Sequence, residues 1–299
     1  MSKPLVSVII PVYNDEKRII DCVTSVYEQA QLNYSLEVIV VDNGSSDNTL
    51  SVIESELKIK YKDLIVETCE VPGSYAARNL GLSVCSGNFT AFTDSDCIVS
   101  KNWLDHHLEN IEGHTNSISA GEVKFFAEDS KKTEQSAIDF ENLFSMKQKD
   151  NAASGKCITA NFFCYRNLFN EAGVFDASLK SGGDVEMSGR VVKKGGSVVY
   201  SEKAVVEHPS RNKNELIIKR KRIIGGTWDS VLSSSDILNK FNFVIRLLKM
   251  FFGRSKKVIK NSSLSIRRKL GLIGLLFSIF LVSITELVAL SFGKQSNRQ

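Results

Sequence analysis

Several common sequence signals are missing from this chain, and each absence excludes a class of protein. No G-x-G-x-x-G follows the first predicted strand and no G-x-x-x-x-G-K-[ST] occurs, which disfavours dinucleotide-binding folds and P-loop NTPases. The six cysteines show no C-x-x-C or zinc-ligand spacing, so we expect reduced, mostly buried thiols. The apolar run 5–12 is short for a secretory signal and contains Pro11, so the N-terminal region is expected in the cytosol.

Acidic residues are also absent from residues 237–285, so the net charge of +4 arises mainly in the C-terminal part. Polar side chains recur along the otherwise apolar stretch 237–252, which is typical of a helix lying in the membrane interface. Residues 256–269 form a strongly basic segment that we expect to be a linker. Together they predict a basic amphipathic linker or interfacial helix over residues 231–269.

A long apolar stretch follows at residues 270–292, with Glu286 as its single charge. A helix of this length reaches roughly 34 Å, enough to cross a hydrocarbon core of about 30 Å. The stretch therefore predicts a transmembrane or membrane-anchoring helix, and its basic flank favours the cytoplasmic side of the cell membrane for the N-terminal domain. A buried or re-entrant helix is the alternative, because Glu286 and several serines weaken the lipid interpretation.

The N-terminal part alternates buried strands with helices, which predicts an α/β domain with a mostly parallel central sheet and flanking helices. Apolar runs at residues 5–12, 36–41, 64–69 and 89–93 are the predicted strands. Further along, residues 197–200 and 204–207 are predicted as two short strands. In such sheets, ligands bind at the carboxyl ends of the strands.

Polar clusters follow three of these strands. They are Tyr13-Asn14, Asp42-Asn43 and Asp94-Ser95-Asp96. Two carboxylates one residue apart repel each other and suit Mg²⁺ or Mn²⁺, whose remaining oxygen ligands typically come from a substrate phosphate. A nucleotide diphosphate is therefore the predicted partner, although the acidic triplet alone could also be a solvated loop.

Five sequence blocks carry the polar clusters and the segments around them. They are VSVIIPVYN (6–14), VIVVDNGSSDNT (38–49), AARNLGL (76–82), TDSD (93–96) and GVFDASLKSGGDVEMSGRVVKKGG (173–196). In order and spacing these blocks resemble those of the family-2 glycosyltransferases. The likeness covers about residues 3–228, and we take residues 1–230 as the predicted catalytic domain. It implies a nucleotide-diphosphosugar (GT-A) fold and inverting transfer of a sugar, usually from a UDP-sugar, to an acceptor hydroxyl.

The resemblance also implies roles for individual residues. Nucleotide binding is assigned to Pro11, Tyr13, Asn14, Asp42, Arg78 and Asp94, with Asp42 accepting from the nucleobase N–H. The metal bridging the two phosphates is assigned to Asp96, together with Asp94 and His208. His208 could equally be a packing residue.

Asp184 matches the family's general base, although the residue before it is Gly183 where the family often has glutamate. Glycosyl transfer needs one carboxylate, apart from the metal pair, that deprotonates the incoming hydroxyl. Asp184 fits that requirement, with a plain helix N-cap as the alternative reading and Glu186 as the fallback base.

A membrane-attached enzyme suggests a lipid-linked or polysaccharide acceptor, and nucleic acid is not an expected partner. Two other functions are possible. A catalytically silent sugar-nucleotide-binding scaffold of a membrane glycan-assembly complex has no need for both the acidic triplet and Asp184. A sugar-phosphate nucleotidyltransferase needs a glycine-rich phosphate loop near the first strand, and residues 6–14 contain none.

Overall fold

The computed structural model describes residues 3–29, 33–128 and 133–296. The chain forms two compact units. The first comprises the residues up to Lys124 and Met146–Pro209, and the second comprises Phe125–Ser145 and the chain from Ser210 onward. Residues 210–230, which the sequence analysis counted with the catalytic domain, belong to the second unit.

An eight-stranded sheet in the order β3-β2-β1-β4-β7-β6-β8-β5 organises the described part of the first unit. The strands are β1 Leu5–Val12, β2 Ser35–Asp42, β3 Ile65–Thr68, β4 Phe89–Phe92, β5 Ile98–Val99, β6 Ser117–Phe126, β7 Phe162–Tyr165 and β8 Ser197–Pro209. The first four are parallel, whereas β7 runs antiparallel to β4 and β6, and β5 runs antiparallel to β8. The predicted α/β fold is confirmed, and β3, β2, β1 and β4 form a continuous parallel half of the sheet.

The α-helices of the first unit pack around this sheet. They are α1 Ile19–Tyr27, α2 Thr49–Val52, α3 Lys58–Lys60, α4 Ser74–Val84, α5 Trp103–Ile111, α7 Gln148–Ala153, α8 Leu168–Ala172 and α9 Gly183–Lys193. Helix α4 lies close to β1, since a Cβ at Gly81 would come 2.4 Å from Ile9 Cγ2. Only glycine permits this approach, which holds the functional face of α4 against the sheet.

Strand β1 shows why the core forms here. Its residues from Val6 onward are buried, as expected for a strand covered on both faces. Its register pairs Val12 with Asp42 of β2, so the ends of the two strands are level. One prediction in this unit was wrong: residues 197–209 form the single long strand β8 and not two short ones.

The second unit is helical in its described part. Its α-helices are α6 Gln135–Phe144, α10 Lys213–Thr227, α11 Ile237–Lys260 and α12 Ile266–Ser291. Helix α11 continues through the segment predicted as a basic linker, so residues 256–269 are helical except for the short turn between α11 and α12.

Among the described residues, α12 is the one helix long and apolar enough to cross a membrane. One face of α12 is nevertheless covered by protein, because α12 packs on α6, α10 and α11. The buried residues of that face are Leu272, Leu275, Leu276, Ile279, Ser283, Glu286, Leu287 and Leu290. Their spacing of three to four residues follows a helical stripe.

Candidate active site at the carboxyl ends of the parallel strands

The loops after β1 and β2 are joined by the Asn14 side chain. Asn14 Oδ1 accepts a hydrogen bond of 2.7 Å from the Ser46 N–H, and the Asn14 N–H donates to Ser45 Oγ at 2.9 Å. Asn14 has a φ of 50°, a left-handed conformation that asparagine tolerates better than most residues. The two strand ends predicted to meet therefore do meet, and the exposed Tyr13 lies beside this junction.

Asp42 is almost fully buried at the end of β2, and one of its carboxylate oxygens has no partner among the described residues. Its Oδ2 accepts from the N–H groups of Gly44 and Ser45, both at 3.1 Å. Its Oδ1 is buried and has no hydrogen-bond partner within the described residues. Because a buried acceptor left unpaired is costly, this oxygen is available for a ligand N–H. Pro11 lies next to it on β1, buried and opposite Val41 in the register.

Arg78 and Asp94 form an ion pair at the end of β4. Arg78 Nη2 lies 2.5 Å from Asp94 Oδ1, and Arg78 Nη1 donates to the Ser74 carbonyl at 3.2 Å. Arg78 is 4% exposed, and its Nε–H has no hydrogen-bond partner in the part of the chain that the structure describes. The buried guanidinium brings positive charge to the strand ends, where an anionic ligand would benefit most.

Asp96, Cys97 and His208 form the one group of potential metal ligands found among the described residues, with their ligand atoms within 4.8 Å of one another. His208 is buried, and its Nδ1 lies 2.8 Å from the Pro209 carbonyl, which favours a proton on Nδ1. His208 Nε2 lies 3.6 Å from Asp96 Oδ2. A hydrogen bond from one ring nitrogen to a backbone carbonyl is usual for a histidine that binds a metal through the other nitrogen.

The donor types of this group fit a divalent cation. Burial, and then the charges of Asp96 and Asp94, raise the pKa of the Cys97 thiol well above its ordinary value. Without a metal the Cys97 thiol is therefore protonated, and the carboxylate of Asp96 and the imidazole of His208 are the other two potential donors. Asp94 pairs with Arg78 and is not part of the group.

Asp184 is the second residue of α9, and Tyr75 of α4 holds it in place. Asp184 Oδ1 accepts from the Val185 N–H at 2.9 Å and from the Tyr75 hydroxyl at 3.3 Å. The Tyr75 hydroxyl in turn accepts from the Gly183 N–H at 2.9 Å. The N-cap of α9 is Gly182 in a left-handed conformation, so the alternative reading of Asp184 as the N-cap was wrong.

The environment of Asp184 makes its carboxylate more basic. Burial raises its pKa, and the Asp94 charge adds to this rise; the Val185 N–H and the Arg78 charge oppose it without cancelling it. By contrast, the fallback Glu186 accepts from Arg190 Nε at 2.7 Å, and Arg190 also donates to the carbonyls of Ala172 and Val174. Glu186 therefore has a structural role, because it orients the Arg190 side chain.

The sequence analysis missed two residues that organise this site. Asp15 Oδ2 accepts from Ser95 Oγ at 2.7 Å, which fixes the middle of the acidic triplet. Tyr75 precedes Arg78 by three residues, and about one helical turn brings both side chains to the same face of α4. The three-residue spacing of Tyr75 and Arg78 was visible in the sequence. Only the fold shows that α9 approaches the face of α4 that carries them.

Comparisons with known proteins agree with this geometry. The family model described as "Glycosyl transferase family 2" matches residues 7–173. Glycosyltransferase AglE of Haloferax volcanii is 35% identical over 224 residues, which cover 74% of this chain and 72% of the relative. Several further curated relatives are matched over 30% to 46% of their own length.

Solved structures show the same fold at low identity. A mannosyltransferase from Pyrobaculum calidifontis, in complex with GDP-Man and Mn²⁺, has a TM-score of 0.59 at 17% identity and covers 99% of this chain and 77% of that one. Staphylococcus aureus TarS 1–349, in complex with UDP-GlcNAc, has a TM-score of 0.55 at 21% identity, with 97% and 84% covered. The family model and the archaeal relative establish that this chain belongs to glycosyl transferase family 2 and is a glycosyltransferase with a GT-A fold.

Proposed function

We propose that this enzyme transfers a sugar, with inversion, from a UDP-sugar to a hydroxyl of a lipid-linked or polysaccharide acceptor. The observation that carries the proposal is the chain of contacts from Asp184 through Tyr75 and α4 to the Arg78–Asp94 pair. Helix α4 thereby positions two groups. Its Tyr75 hydroxyl holds the basic carboxylate of Asp184, and its Arg78 guanidinium is a cation suited to a diphosphate. General-base catalysis and stabilisation of a leaving diphosphate need these two groups.

The donor nucleotide is proposed to bind along the ends of β1, β2 and β4. The unpartnered Asp42 Oδ1 accepts an N–H of the nucleobase, such as that of uracil, with Pro11, Tyr13 and Asn14 around the base and ribose. Arg78 and Asp94 face the phosphate and ribose side. The similar solved structures hold a GDP-sugar in one case and a UDP-sugar in another. Uracil and guanine both carry a ring N–H that Asp42 Oδ1 can accept, so a panel of donors distinguishes the two nucleotides.

A divalent metal, Mg²⁺ or Mn²⁺, is proposed at Asp96 and His208, whereas Asp94 is paired with Arg78. Two similar solved structures hold Mn²⁺, which supports a metal of this class. When bound, the ion neutralises charge on the diphosphate leaving group.

The chemical step follows from these positions. Asp184 takes the proton of the acceptor hydroxyl, the oxygen attacks the anomeric carbon, and the bond from that carbon to the diphosphate breaks. Arg78 stabilises the negative charge that develops on the departing nucleotide diphosphate. Burial of Asp184 strengthens it as a base for this task.

Membrane attachment is proposed to occur through α12 lying in the plane of the cytoplasmic leaflet, with the basic helix α11 contributing electrostatic attraction. The protein-covered face of α12 argues against a bilayer crossing, since its partners α10 and α11 carry many charges. Its other face exposes large apolar side chains. These are Leu270, Phe277, Leu281 and Val288.

The test is a panel of UDP-, GDP- and TDP-sugars scored for nucleotide release by the full chain in detergent. Mn²⁺ or Mg²⁺ and a membrane lipid extract are supplied, and Asp184→Asn is run in parallel. Metal-dependent release with one donor, lost in Asp184→Asn, is the expected result. Donor binding without release under any condition, unchanged in the variant, would replace this proposal with the silent scaffold.

A further inference from the structure

Cys97 lies opposite His208 at the point where the acidic triplet leads into β5. The antiparallel register pairs Ile98 of β5 with Glu207 of β8, and one residue before Ile98 the same register sets Cys97 opposite His208. Opposite residues of an antiparallel pair carry their side chains on the same face of the sheet. The backbone pairing, and not one side-chain rotamer, therefore brings the sulfur and the imidazole together.

The two oxygens of Asp96 face these two side chains separately. Asp96 Oδ1 lies 3.6 Å from Cys97 Sγ, and Asp96 Oδ2 lies 3.6 Å from His208 Nε2. The three ligand atoms are all within 4.8 Å of one another. Ligand atoms around a tetrahedral ion with bonds of about 2.0–2.3 Å are roughly 3.3–3.6 Å apart. Small movements of these side chains are therefore sufficient for all three to contact one ion.

The surroundings of Cys97 differ from those of the other buried thiols. The sulfurs of Cys22, Cys69 and Cys85 donate to backbone carbonyls, as a thiol does when it only fills space in a core. The sulfur of Cys97 instead faces the Asp96 carboxylate, and Cys97 is the one cysteine of the described residues that belongs to a potential metal-ligand group. Cys97 is fully buried and forms no disulfide, so its sulfur is kept for this neighbourhood.

We propose that Cys97 is a third protein ligand, so that Asp96, Cys97 and His208 together bind thiophilic divalent cations, Zn²⁺ above all, more tightly than Mg²⁺ or Mn²⁺. Thiolate and imidazole ligands select Zn²⁺ and related ions, whereas carboxylate and water oxygens suit Mg²⁺ and Mn²⁺. As the bond from the sulfur to the ion forms, the thiol proton leaves to solvent. Three protein ligands, with a further position left for substrate, are the usual set of a catalytic zinc site.

This inference rests on the metal site of the proposed function and states which ions that site holds most tightly. Because Asp96 and His208 are shared, a thiophilic cation and Mn²⁺ exclude each other from the site. The sulfur ligand is detected without donor or acceptor sugar. Its test is therefore independent of whether the enzyme transfers a sugar.

The experiment titrates Co²⁺, a spectroscopic substitute for Zn²⁺, into the full chain in detergent, after treatment with a chelator and with a phosphine as the reductant. The readout is the sulfur-to-cobalt charge-transfer absorption in the near ultraviolet, which requires a thiolate ligand. We expect this band to saturate at about one Co²⁺ per chain. Loss of the band on addition of Zn²⁺ measures the affinity for Zn²⁺, and the electron paramagnetic resonance of free Mn²⁺ measures the affinity for Mn²⁺.

Cys97→Ser removes the sulfur and keeps a side chain of similar size. We expect this variant to lose the charge-transfer band and to bind Zn²⁺ about 100-fold or more weakly, because it lacks one ligand. Its Mn²⁺ affinity should stay within about threefold, since Mn²⁺ prefers the oxygen ligands that remain. Cys22→Ser is the matched control. It removes another buried thiol beside the acidic triplet, whose sulfur donates to the Asp94 carbonyl, and should keep the band.

Three results would overturn the proposal. Absence of the band in the wild-type chain at saturating Co²⁺ would mean that no thiolate binds the ion. A band that survives in Cys97→Ser and disappears in Cys22→Ser would place the ligand at the other thiol. Equal losses of Zn²⁺ and Mn²⁺ affinity in Cys97→Ser would mean that the substitution disturbs the whole site and does not remove a sulfur ligand.

Two further measurements separate this inference from variant folding and from the proposed function. The cadmium NMR resonance of the wild-type chain loaded with Cd²⁺ needs no variant, and a sulfur ligand shifts it far downfield of a site with oxygen and nitrogen ligands alone. Asp184→Asn should keep the cobalt band, so loss of transfer with an intact band counts against the proposed function alone. Mn²⁺-dependent transfer by a wild-type chain that shows no band counts against Cys97 alone.

Discussion

At the scale of single residues, the burial that makes the Asp184 carboxylate a stronger base also makes its ionised form destabilising. The folded state raises its pKa above the unfolded value, so ionised Asp184 destabilises the fold. The stability that protonated Asp184 contributes to the folded state is complete below the unfolded pKa of about 4. This stability is lost as the pH rises through the folded pKa and the carboxyl group ionises. A carboxylate kept under this penalty is expected to have a function.

The first prediction concerns Asp184→Asn. We expect kcat to fall by about 10²- to 10⁴-fold with little change in donor affinity, because the acceptor hydroxyl loses its base. We also expect the variant to melt above wild type at pH 8 and level with it near pH 3, where wild-type Asp184 is protonated. Initial rates and thermal unfolding over a pH series measure both effects.

Glu186→Gln is the matched control for that substitution, since it removes a carboxylate from the same helix turn. Gln can still accept from Arg190, so we expect less than about tenfold loss of kcat. If Glu186→Gln abolished turnover while Asp184→Asn kept it, the assignment of the base would be wrong.

The second prediction concerns the nucleobase. In Asp42→Asn, the amide oxygen can keep the bonds from Gly44 and Ser45, which directs the amide N–H toward the ligand. A donor facing the uracil N–H should weaken inhibition by UDP roughly 10- to 100-fold, whereas CDP, whose base presents an acceptor there, should lose less. Competition by UDP and CDP against the donor measures this difference. Equal losses for both would contradict a contact between Asp42 and the base.

At the scale of secondary-structure elements, the packing of α9 on α4 decides where Asp184 lies. A Cβ on Gly183 would come 2.8 Å from the Tyr75 ring, so the two helices approach closely only because this residue is glycine. Gly189, on the same helix, has nothing within 4 Å of such an atom. The two glycines therefore form a matched pair that separates helix packing from helix propensity.

The third prediction uses that pair. Gly183→Ala should lower kcat at least about tenfold, because Tyr75 and Asp184 are pushed apart by a distance that matters for proton transfer. Gly189→Ala should keep full activity and raise the free energy of unfolding by roughly 0.5–1 kcal/mol, as alanine favours the helix. Kinetics with denaturant unfolding tests both; unchanged kinetics in Gly183→Ala would count against the role of this contact.

At the scale of the whole molecule, the proposed membrane association depends on α12. Phe277→Lys with Leu281→Lys places charge on its exposed apolar face and leaves its protein-covered face intact. We expect vesicle binding to fall about tenfold or more, since each large apolar side chain contributes about 1.5–3 kcal/mol when buried. Sedimentation with vesicles measures the bound fraction.

Ile59→Lys, an exposed apolar residue of α3, is the control for that double variant and should bind vesicles as wild type does. Carbonate extraction at high pH distinguishes the two membrane geometries. A helix in the plane of the leaflet is extracted, whereas retention of the chain in the membrane fraction would favour a spanning α12.

The sequence by itself determined the strands of the parallel half-sheet and the polar residues that stand at their ends. The run Leu5–Val12 was predicted with its observed bounds, and Asp42, Asp94 and Asp96 were found because buried parallel strands are continuous apolar runs that end abruptly in polar loops. The sequence pattern is sufficient to predict a structural feature when that feature depends on a few consecutive residues.

Only the tertiary structure decided which of these groups act together. The contact of Tyr75 with Asp184 joins residues 109 positions apart, and that of Asp96 with His208 also joins distant segments. The helical continuation through the basic stretch 256–260 and the covered face of α12 were likewise invisible in the sequence. Such features depend on which surfaces meet when the elements pack, and packing is a property of the folded chain as a whole.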